Sequence, residues 1–421
     1  MRSPLTLALG AGLVAGLVVV PAGAWADTGI GEVEQVSAPG IASDDAVLAA
    51  DSAGHAWAAF TAVDAATGSI SVQVSERRGA LGWAAPTVLS RHGVDARAPH
   101  IASNDQGDVC VTWVEESWAH ERLQTACHLG AEWTESVALG PLAARIESAT
   151  LAVADSGDAA VAFTALSPDL STQMVHAAWA SEGRWSASSA VDVTSVAEDS
   201  LSDVQIAHGA EGEALVVWRR DDAVLSSRRT ESAMWSPAHL QYAGAASSVA
   251  AGGADGRMMA AWAADGKLSL IELGAVGATP QTVPWDTDVV QLQVVPLADS
   301  SGAVLLATDS DGQLGAVTMG EAGSGGRTDI GAAARGFAVR LDDDGVHVAL
   351  SDDSAGVSLA RVDVSGAIPA LDETRVVVTQ ISGATSTIVL AEPRALLIWV
   401  DDALPSAIFA AEVLDDPETG Q

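Results

Sequence analysis

The 421 residues carry 20 Lys and Arg against 55 Asp and Glu, and a net charge of −35 repels phosphate backbones, which excludes nucleic acid as a partner. With 48% hydrophobic residues the chain can build a core, so neither its charge nor its glycine content implies disorder. Two cysteines without a CxxC pair exclude a cysteine-based metal site, and no cofactor is implied.

In chain order the first element is an export signal. Met1-Arg2-Ser3 is a short basic start, Leu5 to Val20 an almost unbroken apolar run, and Ala24-Trp25-Ala26 an A-x-A cleavage site. Residues 1–26 therefore read as a signal peptide with Asp27 as the first mature residue. The apolar run is shorter than the ~20 residues of a membrane span, and no Cys follows it to mark a lipoprotein. The mature chain has no second apolar run long enough to cross a bilayer, so a secreted, soluble, monomeric protein is expected.

Residues 27–414 are predicted to form one domain of repeats, followed by a polar tail at 415–421. A turn-forming Gly leads after six residues to a large ring: Gly54 to Phe60 with Trp57 beside it, Gly107 to Trp113, Gly157 to Phe163, Gly212 to Trp218, Gly256 to Trp262. Fainter copies follow at Gly302, at Gly345 and at Pro393-Arg394. The units lie about 40–55 residues apart, the period of propeller blades. Eight are predicted, starting near Ala46, Ile101, Thr150, Val204, Val249, Val290, Phe337 and Ile388, with seven as the alternative if one merges into a neighbour.

The second unit shows four short strands: one through His100-Ile101-Ala102, then Asp108 to Glu115, Arg122 to Leu129, and Trp133 to Leu139. Val, Thr and aromatic residues fill the strands, Asn, Asp and Gly mark the turns, and no segment has a helical period. The expected fold is an all-β propeller of four-stranded antiparallel blades, its strand-two rings wedged between neighbouring blades. Asp-rich turns such as Asp51 to Gly54 and Asp309 to Gly312 read as hairpin devices, because Gly accepts positive φ and Asp bonds its own backbone. The last unit has only three strands, and a lone strand-like segment, Glu32 to Val36, precedes the first. Pairing it with Ala407 to Val413 would complete the last blade and close the ring without an open edge.

Cys110 and Cys127 lie on consecutive strands of the second unit and fall opposite each other in a hairpin centred between Trp118 and Ala119. Export to an oxidising compartment favours a cross-strand disulfide, worth up to about 3 kcal/mol for a loop of this size.

The repeated strand-turn-strand with its Trp or Phe resembles, over most of the mature chain, the propeller repeats of secreted bacterial proteins grouped with the sialidases. Ala50-Asp51-Ser52-Ala53-Gly54-His55-Ala56-Trp57 approaches the sialidase Asp box, Ser-x-Asp-x-Gly-x-x-Trp, with the Asp one place early. A sialidase also uses a Tyr nucleophile and three Arg, whereas the single Tyr here, Tyr242, falls on an expected outer strand. The resemblance thus implies the fold, and no catalytic residue is assigned.

Loops between second and third strands, and between blades, share one face of a propeller, and those of the first four units are the longest. They hold Arg91, His92, Arg97, Trp118 and His120, cationic and aromatic groups of the kind favoured at recognition surfaces. The function read from the sequence is a non-catalytic module presenting this face to an extracellular protein or glycan. A carbohydrate-active hydrolase or lyase, with acids converging in the central funnel, and an envelope assembly factor are the competing readings.

Overall fold

A computed structural model of the chain describes residues 33–413 apart from 52, 79–81, 131, 210–211, 231–233, 255, 275–277, 298–301, 321–322, 334–335, 343–344, 352–356, 364–368, 379–385, 392–393 and 402–405. The expected signal peptide and C-terminal tail lie outside these residues. The described elements are all β-strands, and they fall into eight antiparallel sheets. Seven are built from consecutive strands and the eighth is shared between the two ends of the described chain.

Blade 1 consists of Ser43–Ala50, His55–Val63, Ile70–Arg78 and Thr87–Val88, and blade 2 of Asp95–Ser103, Val109–Ser117, His120–His128 and Val137–Ala143. Blades 3 to 7 start with Arg145–Val153, Leu201–His208, Ser248–Ala254, Val289–Pro296 and Gly336–Asp342. Blade 8 joins Ser386–Ala391, Arg394–Asp401 and Ala407–Val413 to the N-terminal Glu34–Gln35. Each predicted unit start falls inside the first strand of one blade. First strands pack on first strands around the whole ring, and Ser386–Ala391 packs on Ser43–Ala50, so these strands surround the axis.

Closure follows the predicted route. Glu34 pairs with Ala410 and Gln35 with Phe409 in antiparallel register, and the Val36 amide donates to the Ile408 carbonyl at 2.8 Å. Val36 is buried in the cluster that joins Phe60 of blade 1 to Ile398 and Ile408 of blade 8. Arg77 of blade 1 then bridges the two ends, meeting Glu34 at 3.4 Å and Glu412 at 2.8 Å.

Strand-two rings are where the repeat puts them: Trp57, Phe60, Trp113, Phe163, Trp218 and Trp262 are all buried. Each contributes roughly 1.5–3 kcal/mol by leaving water. Cys110 and Cys127 are cross-strand partners joined in a disulfide, with Thr112 opposite Thr125 in the same register. The bridge is covered by Ala159 and Ala180 of blade 3.

A second tryptophan series, not picked out from the sequence above, organises the outer strands. Trp83, Trp133, Trp185 and Trp235 each form an antiparallel bridge to the end of the third strand in blades 1 to 4, opposite Arg77, His128, Ala180 and Arg229. The residue after the ring continues the hairpin, and in three blades it is Thr134, Ser186 or Ser236. Their hydroxyls accept from the amides of Cys127, Trp179 and Arg228 at 3.0, 3.2 and 3.1 Å, serving third-strand donors whose ladder is broken there.

Candidate functional site

Because strands alternate in direction, turns between second and third strands and links between blades lie on one face of the ring, here called upper. Turns between first and second strands lie on the lower face. All five residues singled out from the sequence belong to the upper face of blades 1 and 2, but they are differently employed there.

Arg91, on the link into blade 2, is spent on a buried carboxylate. Its amide donates to Glu115 Oε1 at 3.1 Å and its Nε to Oε2 at 2.6 Å, while Glu115 is 1% exposed and also accepts from Gln124 at 3.0 Å. His92 pairs through Nδ1 with Asp64 at 2.8 Å. The Ala66 amide holds Asp64 below the usual carboxylate range against partial desolvation, with Thr67 and His92 adding to the effect. Arg97 donates to Glu116 and Glu121, both at 2.6 Å, and Glu121 accepts from the Ile146 amide of blade 3. Burial opposes the Arg97 charge, yet Glu121 and Glu116 outweigh it and raise its pKa. His120 is half-buried with Nδ1 lacking a partner. Arg91, His92 and Arg97 therefore fasten the upper face together, and Trp118 alone of the five stands fully exposed.

Trp118 occupies the tip of the hairpin between Val109–Ser117 and His120–His128 at φ +59°. Leu170 takes the same place in blade 3 at φ +60° and is also exposed. Such a conformation is unfavourable for residues with a Cβ, and a bulky apolar side chain gains nothing from water in return. The Leu170 tip is fixed from below: Asp169 accepts from the hydroxyls of Ser167 and Ser171 at 2.6 and 2.8 Å, which hold its carboxyl down to about 2. Val63, Ile70, Leu142, Val193 and Val196 are further exposed aliphatic groups of the upper face in blades 1 to 3. The sequence signal for this surface was available as apolar residues inside turn-forming loops, where Ser, Asp and Gly are the rule.

Inner strands bulge where they enter the ring. Register slips between Asp44 and Val47, Arg97 and His100, and Ser202 and Gln205, with Asp45, Ala98 and Asp203 at φ near +50°. The upper ends of the inner strands, at the mouth of the ring, carry Asp45, Asp95, Glu147 and Asp203, of which Asp95 accepts from the Ile70 amide, Glu147 from Gln173, and Asp203 meets Arg219. Below the mouth the inner strands read Val47-Leu48-Ala49-Ala50, His100-Ile101-Ala102-Ser103, Ser148 to Val153, Gln205 to His208, Val249 to Ala254 and Gln291 to Pro296, without an acid, an Arg or a Tyr. Burial lowers the His100 pKa, so the imidazole is neutral. Tyr242 lies on the outermost strand of blade 4, donates to Asp265 and stacks on Trp262 at 6.0 Å, away from the axis.

On the lower face the Asp and Asn turns are held internally, and the Asn104 turn also joins two blades. Asp51 accepts from the amide and Nδ1 of its own His55, both at 2.8 Å, and Asn104 reaches the Ala154 carbonyl of blade 3 at 2.7 Å. Asp309, on the upper face, spends Oδ1 on the amides of Asp311 and Gln313 and lies 3.7 Å from Arg327. These turns have the structural employment predicted for them.

No protein-family model matches the chain, and no curated protein matches it. Among solved structures it is similar to YCF48 bound to D1 peptide, at 10% identity and a TM-score of 0.45 over 91% of this chain and 95% of that chain. It is also similar to the NanB sialidase of Streptococcus pneumoniae, at 8% identity and a TM-score of 0.41 over 85% and 83% of the two chains. A third is the α-L-arabinofuranosidase Arb93A of Fusarium graminearum, at 10% identity and a TM-score of 0.38 over 64% and 89%.

Proposed function

We propose that this chain is an exported, non-catalytic propeller whose upper face over blades 1 to 3 docks another protein outside the cell. The observation that carries the reading is the pair of strained turn tips, Trp118 and Leu170, that hold large apolar side chains in water, with the exposed Val193 and Val196 on the same face. A surface of aliphatic groups with one indole, rimmed by engaged ion pairs, has the make-up of a protein interface. A glycan platform would present more exposed rings and free hydrogen-bonding groups. Below the mouth the inner strands of blades 1 to 6 carry no acid, which favours binding over hydrolysis, a reaction that needs two convergent carboxylates. Residues 1–26 and the disulfide favour an oxidising, extracellular setting.

The test is cross-linking of the mature protein to its partner at the producing cell's surface or in its medium, followed by affinity measurement with the isolated partner. Trp118→Ser together with Leu170→Ser should weaken binding tenfold or more, about 1.4 kcal/mol or above, with no loss of thermal stability. Met234→Ser, an exposed apolar site on the lower face, should leave binding unchanged. Equal affinity for all three proteins would remove the assignment of this face.

A further inference from the structure

The upper face is unevenly charged. Over blades 1 and 2 the carboxylates Asp64, Glu115, Glu116 and Glu121 are matched by His92, Arg91 and Arg97. The edge where blade 3 meets blade 4 differs. Asp169, Glu198, Asp221 and Asp222 are exposed there, and none has an ion-pair partner among the described residues. Arg219 and Arg220 beside them are spent elsewhere, Arg219 on Asp203 at 3.2 Å and Arg220 on Asp192 and Asp199 at 3.4 and 3.3 Å.

Hydrogen bonds join these carboxylates to the exposed apolar groups. Asp169 directly precedes Leu170 at its hairpin tip. The Val196 amide donates to the Ser171 carbonyl at 3.0 Å, which ties that tip to the link from blade 3 to blade 4, where the exposed Val193, Val196 and Glu198 lie. Ser200 of the same link donates to Asp221 at 2.6 Å and so draws in the hairpin of blade 4. The Ser167 and Ser171 hydroxyls hold the Asp169 carboxyl down to about 2, and the Ser200 hydroxyl likewise keeps that of Asp221 below the usual range. A hydroxyl stabilises an anion without cancelling its charge, so the charge stays open to a cation from outside.

We infer that the docked protein is basic, with Lys or Arg side chains set against this edge while its apolar surface covers Leu170, Val193 and Val196. The inference rests on the docking face proposed above and gives that face a direction, apolar over blades 2 and 3 and anionic toward blade 4. A second copy of this chain does not fit, because a net charge of −35 repels its like. Anionic lipid headgroups and acidic glycans meet the same repulsion, and a neutral surface would leave the carboxylates unmatched. Opposite charge at the rim of an apolar contact steers the encounter and fixes its orientation.

Two short amphipathic peptides serve as probes, alike in their Leu and Trp residues but with Lys in one and Gln in the other at the polar positions. Each is titrated with the mature protein and followed by fluorescence anisotropy at low salt. The Lys peptide should bind more tightly. Asp169→Asn, Glu198→Gln and Asp221→Asn together should weaken it about threefold to tenfold, a difference that fades at high salt. Asp105→Asn, Asp155→Asn and Glu182→Gln, which remove the same charge from exposed sites on the lower face, should weaken it about twofold or less. The inference is overturned if the Gln peptide binds as tightly, or if the two charge variants weaken the Lys peptide equally, which is the effect of net charge alone. A Lys peptide that responds to Trp118→Ser with Leu170→Ser but not to the upper charge variant leaves the docking face and removes its basic partner. Response to the upper charge variant alone overturns the docking face itself.

Discussion

Trp218 of blade 4 and Trp113 of blade 2 sit at the same depth of their repeats, yet their indoles are held differently. Trp218 Nε1 donates to Asp192 of blade 3 at 2.8 Å, and that 9%-exposed carboxylate also meets Arg220 at 3.4 Å. Trp113 reaches Glu115 at 3.4 Å, a carboxylate already served by Arg91 and Gln124. Trp218→Phe keeps most of the buried ring but deprives a buried charge of a close donor, so it should cost about 1.5–3 kcal/mol in urea unfolding. Trp113→Phe should cost distinctly less, and equal losses would show that ring packing alone is being measured. His176 offers a pH counterpart. It stacks on Phe163 at 5.1 Å, and burial pushes its pKa from 6.5 to about 4. The imidazole stays neutral in the fold while the unfolded chain protonates it below about pH 6.5. Stability is therefore whole above pH 6.5 and falls as the pH drops toward 4, by up to about 3 kcal/mol from this residue. His100 and His208 shift in the same direction. In chemical unfolding followed from pH 7 to 4.5, His176→Gln should lose stability less steeply than wild type; parallel curves would count against the assignment.

At the scale of the blade, the disulfide and the outer tryptophan hairpins do the fastening that a four-stranded sheet of short strands cannot do alone. Cys110→Ala with Cys127→Ala opens a closed loop of 17 residues and should lower stability by up to about 3 kcal/mol, with blade 2 exchanging its amide hydrogens sooner. An unchanged exchange pattern would place the bridge outside the stability-limiting unit. The cross-strand partners could be read beforehand because a tight hairpin fixes register: Cys110 opposite Cys127 and Thr112 opposite Thr125 follow from the position of one turn. The strand-two rings were legible for a similar reason, since a buried ring at a constant distance from a turn glycine leaves a period. The Trp-Ser and Trp-Thr pairs at Trp133, Trp185 and Trp235 leave as clear a period, but their meaning depends on a broken ladder bond that only the paired strands reveal. The ion pairs of Arg91 and Arg97 were less legible still. An Arg in a loop looks free in sequence, whereas here Glu115 and Glu121 come from strands that the fold brings beneath it.

For the whole molecule the decisive step is closure. Eight sheets arranged in a ring are all four-stranded only if the last is completed, and completion rests on Glu34–Gln35, on Val36 packed against Ile408, and on Arg77 between Glu34 and Glu412. Each contact is small. A two-residue pairing contributes little by itself, and the partly exposed ion pairs of Arg77 add about 1–2 kcal/mol together. The consequence of losing them is larger than the sum, because Ala407–Val413 would become an open outer strand with a full row of unpaired amides and carbonyls. A chain that starts at Pro39 should therefore unfold at lower temperature and self-associate through that strand, seen as a sedimentation coefficient that rises with protein concentration. The net charge of −35 opposes such association, so the effect should strengthen as salt screens the repulsion. Arg77→Ala, which keeps the strand but removes its ion pairs, should show the stability loss without the self-association. A truncated chain that stays monomeric at high salt with an unshifted unfolding temperature would mean that the seven sheets of consecutive strands hold the ring by themselves.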